Sequence, residues 1–377
     1  MKALIATITL QEPLLATALD GDPNSGRSYP FIPGSVIRGA VIEQYIVRNS
    51  NGQSIAGGLT INDETSGLFF DGTTRYLNAY PVTADNERTL PVPLSWQRDK
   101  QAQTADPIYD SIHPGFTEDE FKEAINQPRP VKAAFCHRDG SAVALYAPEW
   151  LIHVHTQRDR QAGRAMLGSG AVFRYEALAP RQTFQGVVLC DRDKDAELLQ
   201  DLLAGELWLG RSKQAGYGQV TVTVETEPTW VETDSDPEDI EAQNHLILTL
   251  LSDLIIRDEW GEYVDVLPAS MVAQALSLPT DTLVAGQIFK QATLVGGFNR
   301  KWRLPLPQTV AIKAGSVFQY TSTTTIDAQQ LADLMKRPTT CPSRTGTRRR
   351  CNRRGRQGRS LGWTRPRGRR CRGTPGP

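Results

Sequence analysis

Alternating apolar and polar residues predict strands in the first part of the chain. In Lys2–Leu10 the even-numbered positions from Leu4 onward are all apolar. The same two-residue period returns in Val220–Glu225, with valine on one face and threonine or glutamate on the other. Apolar runs at Ala142–Thr156 and Gln182–Cys190 predict further strands, and Gly67–Val82 predicts a strand pair.

Two segments with a helical period lie between these strands. From Val36 onward, apolar side chains recur on one helical face at positions 36, 37, 40, 41 and 45, and Ser35 is the predicted N-cap. Asp195–Leu203 predicts a second helix, which is followed by a glycine-rich loop and a last strand. The order strand, helix, two strands, helix, strand is that of a βαββαβ unit, the ferredoxin-like or RRM-like fold.

A second region repeats most of this order. It contains a predicted strand at Leu246–Leu251, a helical segment at 269–277, strands around 282–294 and 309–320, and a short helix at 327–335. No closing strand follows. The sequence therefore predicts an α+β protein built from tandem ferredoxin-like (RRM-like) βαββαβ domains with glycine-rich loops and insertions.

The predicted domains differ in composition from the segments around them. The first domain spans 1–226 and carries a polar surface insertion near 97–130, and the second spans 245–336. Eight acidic residues and two prolines in 225–244 predict an acidic linker over 227–244.

An arginine-rich segment occupies 337–377. It holds 14 arginines and no acidic residue, which leaves 28 bases and 42 acids in the rest of the chain, a net charge of −14. With few aliphatic residues it cannot build a core. Three interpretations stay open: an RNA-binding arginine tail, a disordered solvated tail, and the product of a reading-frame error. We favour the frame error, because the composition changes where the closing strand of the second domain is expected.

Composition narrows the class of protein. With 39% hydrophobic residues among 377, the chain can bury hydrophobic cores, and no apolar run reaches the length of a membrane-spanning helix. The five cysteines, at 136, 190, 341, 351 and 371, form no C-x-x-C pair. The sequence therefore predicts a cytoplasmic protein with no disulfide scaffold, no structural zinc site and no cofactor.

The segment Leu209–Gly218 is the richest in functional side chains. Glycines at 210, 216 and 218 permit positive φ, and the exposed amides of such a loop can bind phosphate oxygens. Arg211 and Lys213 add charge, and Tyr217 offers a face for base stacking. The alternative is a tight turn with solvated basic side chains. Because Gly-Lys-Ser/Thr is absent, nothing here supports nucleotide hydrolysis.

The start of the first helix is a second candidate phosphate site. Gly34 and Ser35 place free amides and the positive end of the helix dipole beside Arg38, which suits a phosphate group. An ordinary capped helix start is the alternative interpretation.

His153 and His155 are candidates for catalysis. They stand two residues apart on a predicted strand, so both side chains point to one face, where one of them could act as general base in RNA cleavage. Half-buried strand residues or phosphate contacts are the simpler interpretation. No third metal ligand is evident near them, and neither an HD pair nor a GGDD run occurs in the sequence.

Four segments taken together resemble a known family. "FIPGSVIRGA", "RDRQAGRAMLGSGAVFRYEALAPRQTFQGVVL", "LWLGRSKQAGYGQVTV" and "GGFNRKWRLPLPQTVAIKAGSVFQY", in this order, are similar to the RAMP superfamily of CRISPR-associated proteins. The resemblance extends over roughly residues 1–325. Within the superfamily it is nearest to the subunit of type III (subtype III-D) effector complexes that caps the 5′ handle of the guide RNA.

This resemblance implies a fold, partners and a site. It implies tandem ferredoxin-like domains whose glycine loops and helix N-terminus bind crRNA. It also implies contacts with the large polymerase-like subunit and with backbone RAMP subunits, and an indirect relation to target RNA. The family usually closes with a second glycine-rich loop and strand, and this chain departs from that pattern after Met335.

The RNA-binding candidates matched in this way fall into four groups. They are Gly34, Ser35 and Arg38; Gly210, Arg211, Ser212, Lys213, Gly216, Tyr217 and Gly218; Arg158, Arg160 and Arg164; and Phe298, Asn299, Arg300, Lys301 and Trp302. The expected function is a non-catalytic RNA-binding subunit that grips the 5′ handle of crRNA in antiviral defence. The runner-up is a metal-independent endoribonuclease that processes CRISPR repeat RNA, with His153 or His155 as the base.

Overall fold

A computed structural model of the chain describes residues 1–18, 25–50, 59–102, 106–112, 118–139, 142–156, 172–232, 245–258, 260–299 and 304–336. In chain order its first elements are β1 (Lys2–Leu10), β2 (Ser25–Arg27), α1 (Gly34–Asn49), α2 (Asp63–Phe69), β3 (Thr74–Tyr76), β4 (Tyr80–Pro81), β5 (Leu90–Pro91), β6 (Trp96–Asp99), β7 (Tyr109–Asp110), α3 (Glu118–Ala124), β8 (Pro128–Pro130), β9 (Phe135–Asp139), β10 (Ala142–Tyr146), β11 (Trp150–Thr156), β12 (Val172–Leu178), β13 (Thr183–Cys190), α4 (Asp193–Leu203), β14 (Gly205–Trp208) and β15 (Gln219–Glu227). The later elements are β16 (His245–Thr249), β17 (Ile256–Arg257), β18 (Tyr263–Val264), α5 (Ala269–Ala275), β19 (Leu283–Phe289), β20 (Ala292–Val295), β21 (Phe298–Asn299), β22 (Leu304–Pro305), β23 (Thr309–Ile312), β24 (Val317–Ser322) and α6 (Ala328–Lys336).

The main sheet is antiparallel and has β1 at its centre. Its order is β14-β15-β1-β13-β3, and β4 also pairs with β13. β15 and β13 flank β1, so the first strand of the predicted unit lies between its fourth and third strands. Short strands β3 and β4 take the second position, which gives the arrangement expected of βαββαβ. The predicted strand at Lys2–Leu10 is confirmed with both of its bounds.

One face of this sheet buries the first hydrophobic core. Leu4 and Ile8 on β1 pack in one cluster with Ile37 and Val41 of α1 and with Leu199 of α4. The two-residue period of the strand and the helical period of α1 meet at this layer, so both patterns are explained by one buried surface.

A second, separate core lies in the later part of the chain. Leu246, Phe318 and Tyr320 of the sheet β16-β24-β19 pack in one cluster with Val272 of α5 and Leu331 of α6. In the described residues β16 pairs with β24 only, and no strand covers its outer edge. The division into domains at 1–226 and 245–336 and the absence of a closing strand stay predictions. Most of the predicted linker (233–244) and the tail 337–377 lie outside the described residues.

Two local predictions were wrong. Ser35 is not the N-cap: α1 begins at Gly34, Pro33 occupies the cap position, and the Gly34 amide donates instead to Oδ1 of Asn78 at 3.0 Å. The segment predicted as a strand pair from Gly67 starts in a helix. Asn62 caps that helix, α2, through a reciprocal pair of hydrogen bonds with Thr65.

The insertion near 97–130 has structure of its own. It forms α3 and most of a small antiparallel sheet of order β7-β6-β8. The beginning of the predicted linker packs on the first part of the chain: Trp230 contacts the cluster of Ala3, Val187 and Leu189 on the other face of the main sheet. Glu232 forms a 2.7 Å ion pair with the buried guanidinium of Arg88.

Candidate nucleic-acid interface

The glycine loop 209–218 joins β14 to β15. Three of its glycines have positive φ, at +72° for Gly210, +77° for Gly216 and +92° for Gly218. At Gly218 a Cβ would lie 2.1 Å from the carbonyl oxygen of Leu209, and at Gly210 one would lie 2.5 Å from that of Leu15. At Gly216 the corresponding space is open. Gly210 and Gly218 therefore serve close backbone packing, and Gly216 leaves open space at the surface.

The two basic residues of this loop differ in their surroundings. Nζ of Lys213 lies 2.5 Å from Oε2 of Glu43 on α1, and this pair is partly exposed. The Arg211 side chain is exposed, and no salt bridge to it occurs within the described parts of the chain. Ser212 has a left-handed backbone, and its hydroxyl donates to the Tyr175 hydroxyl at 3.2 Å. Arg211 is thus the more available cation, and Lys213 shares its charge with Glu43.

One exposed face of α1 includes Glu43, the partner of Lys213. Ser35, Gly39 and Glu43 are exposed at intervals of four, so they line one face of the helix. A shallow groove between α1 and β14 is lined by Ala40, Glu43, Gln44, Leu207, Trp208 and Lys213. The loop and the helix meet at this groove, where Lys213 forms its ion pair with Glu43.

Tyr217 is not available for base stacking. It is only 2% exposed, and its hydroxyl lies 2.9 Å from Nδ1 of His153 and 2.9 Å from Nε2 of His155. Burial and, to a lesser degree, the proximity of Tyr175 raise the pKa of Tyr217, so its phenol stays neutral. With both imidazoles neutral, this hydroxyl can donate to one ring and accept from the other. The loop carries the residue that the sequence predicts as a stacking platform, but the fold buries its ring.

The two histidines belong to an aromatic cluster on one face of the β11–β12 hairpin. His153 pairs with Tyr175 across the strands and His155 with Phe173, and His155 stacks on Phe173 with ring centroids 5.4 Å apart. The prediction that both histidines face one side of a strand is confirmed by their common contact with Tyr217. His153 is exposed and His155 half-buried. Since Nδ1 of His153 bonds to Tyr217, its other ring nitrogen, Nε2, is the one left for a ligand.

Arg38 has a structural contact of its own. It is half-buried, and its Nη1 donates to the carbonyl oxygen of Phe69, the last residue of α2, at 3.3 Å. A Cβ on Gly34 would lie 2.0 Å from the carbonyl oxygen of Tyr76, so this glycine is required by packing. Of the three residues predicted at the helix start, Ser35 is the exposed one.

Several predicted residues cannot be placed. Six lie outside the described residues: Arg158, Arg160, Arg164, Arg300, Lys301 and Trp302. Phe298 and Asn299 form β21, which pairs with β22, and their side chains are not described. In the described parts, no group of three or more His, Cys, Asp or Glu side chains is placed to hold a metal ion. No helix described here is long and apolar enough to span a membrane.

Sequence reasoning missed the partners of the site residues. Glu43, Asn78 and Tyr175 bind Lys213, the Gly34 amide and Ser212 respectively. Glu43 could have been found, because it lies on the exposed face of a predicted amphipathic helix. Nothing local to Asn78 or Tyr175 signals their contacts, which join residues 44 and 37 positions apart.

The protein is of the α+β class, and a glycine loop leads into the last strand of its main sheet, β15. The sequence model of the RAMP superfamily matches residues 16–221, more than half of the chain. The chain belongs to the RAMP superfamily. No curated protein sequence matches it.

Three solved structures contain a chain that is similar to this one. A chain of the type III-B Cmr-beta complex bound to cognate target RNA and AMPPnP has 12% identity and a TM-score of 0.45, covering 85% of this chain and 86% of that one. A chain of a type IV-B CRISPR complex has 14% identity and a TM-score of 0.33, covering 62% and 94%. Oligomeric Cmr4 from Pyrococcus furiosus has 13% identity and a TM-score of 0.28, covering 61% and 100%. The family assignment rests on the sequence match and not on these likenesses.

Proposed function

We propose that this RAMP-superfamily chain is a non-catalytic RNA-binding subunit of a type III CRISPR effector complex in the cytoplasm. In this proposal it grips the 5′ handle of crRNA and contacts the large polymerase-like subunit and backbone RAMP subunits. The observation that carries the proposal is the surface formed by the glycine loop and α1. On this surface the Arg211 side chain is exposed and the space at Gly216 is open. The ion pair of Lys213 with Glu43 joins the loop to α1.

The chemistry of this surface suits a sugar-phosphate chain. Gly39 and Gly216 offer open space above the backbone, so a bulky polyanion can approach the loop and the helix. Arg211 supplies a planar cation that can bind two phosphate oxygens, and Lys213 supplies a point charge. None of these groups distinguishes one base from another, so the contacts fix the register of the RNA rather than read its sequence.

An acidic body does not prevent such binding. The net charge of −14 is a sum over residues 1–336, whereas RNA responds to the local charge of the groove. Glu43 is the acidic residue bonded within this surface, and its ion pair with Lys213 must loosen when a phosphate arrives. Because that pair is partly exposed, its opening costs only about 1 kcal/mol or less.

The test is binding of a handle-containing guide RNA by the purified chain across a salt series. Replacing both Arg211 and Lys213 with Ala should lower affinity and reduce the salt slope by about 0.7 for each lost single-strand phosphate contact. Arg48→Ala is the matched control, since Arg48 lies at the end of α1 and pairs with Asp201 at 3.6 Å. An unchanged slope for the double variant would mean that this loop is only a turn.

A second candidate function is supported by the contact of Tyr217 with both histidines. We propose as the alternative a metal-independent endoribonuclease that processes CRISPR repeat RNA. Tyr217 holds the His153 ring through Nδ1, which leaves Nε2 of an exposed imidazole free to take a proton from a ribose 2′-hydroxyl. A base oriented by a third group is the usual arrangement of an activated nucleophile.

Incubation with repeat RNA separates the two proposals. Cleavage at one position that persists in EDTA and is lost in His153→Ala would establish the nuclease. Intact RNA that stays bound to the protein supports the non-catalytic role. His245→Ala is the control, because His245 begins β16, in the second core, and lies outside the Tyr217 cluster.

A further inference from the structure

The hairpin of β17 and β18 presents Trp260 to solvent. Trp260 is 83% exposed, the highest value among the large apolar side chains that the structure describes. Single exposed apolar residues are ordinary on a protein surface. The surroundings of this one are not ordinary, because the turn that carries it is held by its own hydrogen bonds.

Asp258 fixes the conformation of the turn. Its Oδ1 accepts the amides of Trp260 and Glu262, both at 2.9 Å. Its own amide donates to the carbonyl oxygen of Glu262 at 2.9 Å, and Gly261, with φ +87°, donates to the carbonyl oxygen of Asp258 at 3.0 Å. These hydrogen bonds fix the backbone at Trp260 and Glu262, so a partner that binds the indole loses little further backbone entropy there.

The base of the hairpin is tied to the second core. Ile256 is buried in that core, and Val264, its partner across the two strands, packs against it. On the exposed side, Cζ of Arg257 lies 4.3 Å from the ring centroid of Tyr263. Trp, Tyr and Arg are the residue types that dominate binding energy in protein interfaces. All three occur on this hairpin of nine residues, Ile256–Val264.

Charge around the indole selects the kind of partner. Asp258 and Glu262 flank Trp260, and the nearest cation along the hairpin, Arg257, is stacked on Tyr263. Asp265, just beyond the hairpin, is paired with Lys290 at 2.7 Å. Carboxylates on both sides of the indole repel phosphates, so an RNA base is a poor occupant. They attract lysine and arginine on a protein surface.

We infer that the hairpin Ile256–Val264 is a docking element for a partner protein whose apolar pocket, rimmed by lysine or arginine, receives the Trp260 indole. The partner is taken to be a neighbouring subunit of the same effector complex, and in this respect the inference rests on the proposed function. Trp260 is the anchor, Asp258 is a positioning residue, and Glu262 supplies the complementary charge.

Photocrosslinking tests the inference in the full chain, co-expressed with the other proteins of its own CRISPR locus. Position 260 is replaced with p-benzoylphenylalanine, and mass spectrometry identifies the residues crosslinked after irradiation. The expected result is a crosslink to an apolar site flanked by lysine or arginine in another subunit. Crosslinks to RNA, to a second copy of this chain or to an acidic surface would each overturn the inference, as would no crosslink at all. The same substitution at Ile61, which is 66% exposed, is the control.

Matched variants give the energetic side of the test. Trp260→Ala and Glu262→Lys should each reduce retention of the crosslinked subunit at least tenfold, whereas Ile61→Ala should leave it unchanged. Because Trp260 is exposed, the thermal melting of Trp260→Ala should match that of the parent protein. Guide-RNA binding by the isolated chain is measured in parallel. If that binding is absent, the proposed function fails; if it is present without the expected crosslink, only the docking inference fails.

Discussion

The hydroxyl oxygen of Tyr217 lies 2.9 Å from Nε2 of His155, although 62 positions separate these residues in the chain. The contact joins the glycine loop to the β11–β12 hairpin and turns the Tyr217 ring away from solvent. The exposed residues of the loop are Arg211, Gln214, Ala215 and Gly216, and Lys213 is half-buried. The Tyr217 ring therefore offers no exposed face on which a base could stack.

Removing only the Tyr217 hydroxyl tests this arrangement. Tyr217→Phe should reduce the free energy of unfolding by about 1 kcal/mol, because two partly buried hydrogen bonds are lost while the ring stays packed. Tyr217→Ala should cost about 3–5 kcal/mol through the cavity it leaves. Urea denaturation measures both values. If Tyr217→Phe unfolds at the same urea concentration as the parent, its contacts with His153 and His155 contribute nothing.

Neutralising Glu43 should strengthen RNA binding. In Glu43→Gln, Lys213 loses its carboxylate partner and becomes available to a phosphate. An exposed ion pair is worth roughly 0.5–1 kcal/mol, so affinity should rise about two- to fivefold at low salt, and the gain should shrink as salt increases. Filter binding across a salt series measures it. Glu197→Gln, an exposed change on α4, should leave affinity unchanged. Unchanged affinity in Glu43→Gln would mean that the RNA binds elsewhere, and lower affinity would contradict the charge argument.

The glycines of the loop should differ in their tolerance of alanine. Gly218→Ala should cost about 3 kcal/mol or more, since it combines a positive φ with a Cβ 2.1 Å from the Leu209 carbonyl oxygen. Gly216→Ala carries only the conformational cost, about 1–2 kcal/mol. Gly39→Ala, in an open helical position, should stabilise by about 0.5–1 kcal/mol. Chemical denaturation ranks the three, and equal losses at Gly216 and Gly218 would contradict the packing argument.

Breaking the buried pair of Arg88 and Glu232 should destabilise the protein strongly. Their side chains are 7% and 17% exposed, and Nη1 of Arg88 also donates to the carbonyl oxygen of Asn78 at 2.9 Å. Glu232→Ala leaves a buried guanidinium without its counterion and should cost about 3–5 kcal/mol. Asp201→Asn, in the exposed pair with Arg48, should cost less than about 1 kcal/mol. Thermal or urea unfolding compares them, and similar losses would show that burial does not matter here.

Asp253 should make stability depend on pH. Burial raises the pKa of Asp253, and the Ala314 amide and Lys313 counteract this only in part. Because the pKa of Asp253 is higher in the folded protein than in the unfolded chain, protonation of this carboxyl favours folding. This contribution to stability is complete below the ordinary pKa of about 4 and is lost as the pH rises through the raised pKa. Asp253→Asn should therefore gain stability relative to the parent at pH 7 and lose that advantage below pH ~4.

The control for this pH dependence is Asp265. Lys290 lowers the pKa of Asp265, so its contribution has the opposite sign and is lost as the pH falls. Asp265→Asn should be no more stable than the parent at pH 7. Urea unfolding between pH 3 and 7 measures both variants. A stability difference between Asp253→Asn and the parent that does not change with pH would contradict the titration of Asp253.

Periodicity in the sequence was sufficient for much of the fold. The alternation in Lys2–Leu10 and in Val220–Glu225 predicted two neighbouring strands of the main sheet, because one face of that sheet is buried and the pattern reflects the burial. The helix over Gly67–Phe69 was missed, since the capping pair of Asn62 and Thr65 that starts α2 lies before the segment that was read as strands.

The candidate site was predicted less completely, for a different reason. The glycines of 209–218 mark a loop with positive φ, and Arg211 follows as its exposed cation. The sequence did not indicate that Lys213 binds Glu43, 170 positions away, or that Asn78 binds the Gly34 amide. These contacts depend on which elements lie side by side, and residue type alone does not specify a partner.

The sequence by itself determined most of the secondary-structure pattern, the glycine loop and the similarity to RAMP proteins, because local propensity, two-residue and helical periods and family motifs all lie along the chain. Tertiary structure alone decided the role of Tyr217. The same aromatic residue in the same glycine loop stacks on a base when its ring faces solvent and acts as a hydrogen-bonded core residue when a hairpin covers it. The pairing of β11 with β12 placed His153 and His155 over that ring, and a contact between such distant segments arises only when the chain has folded.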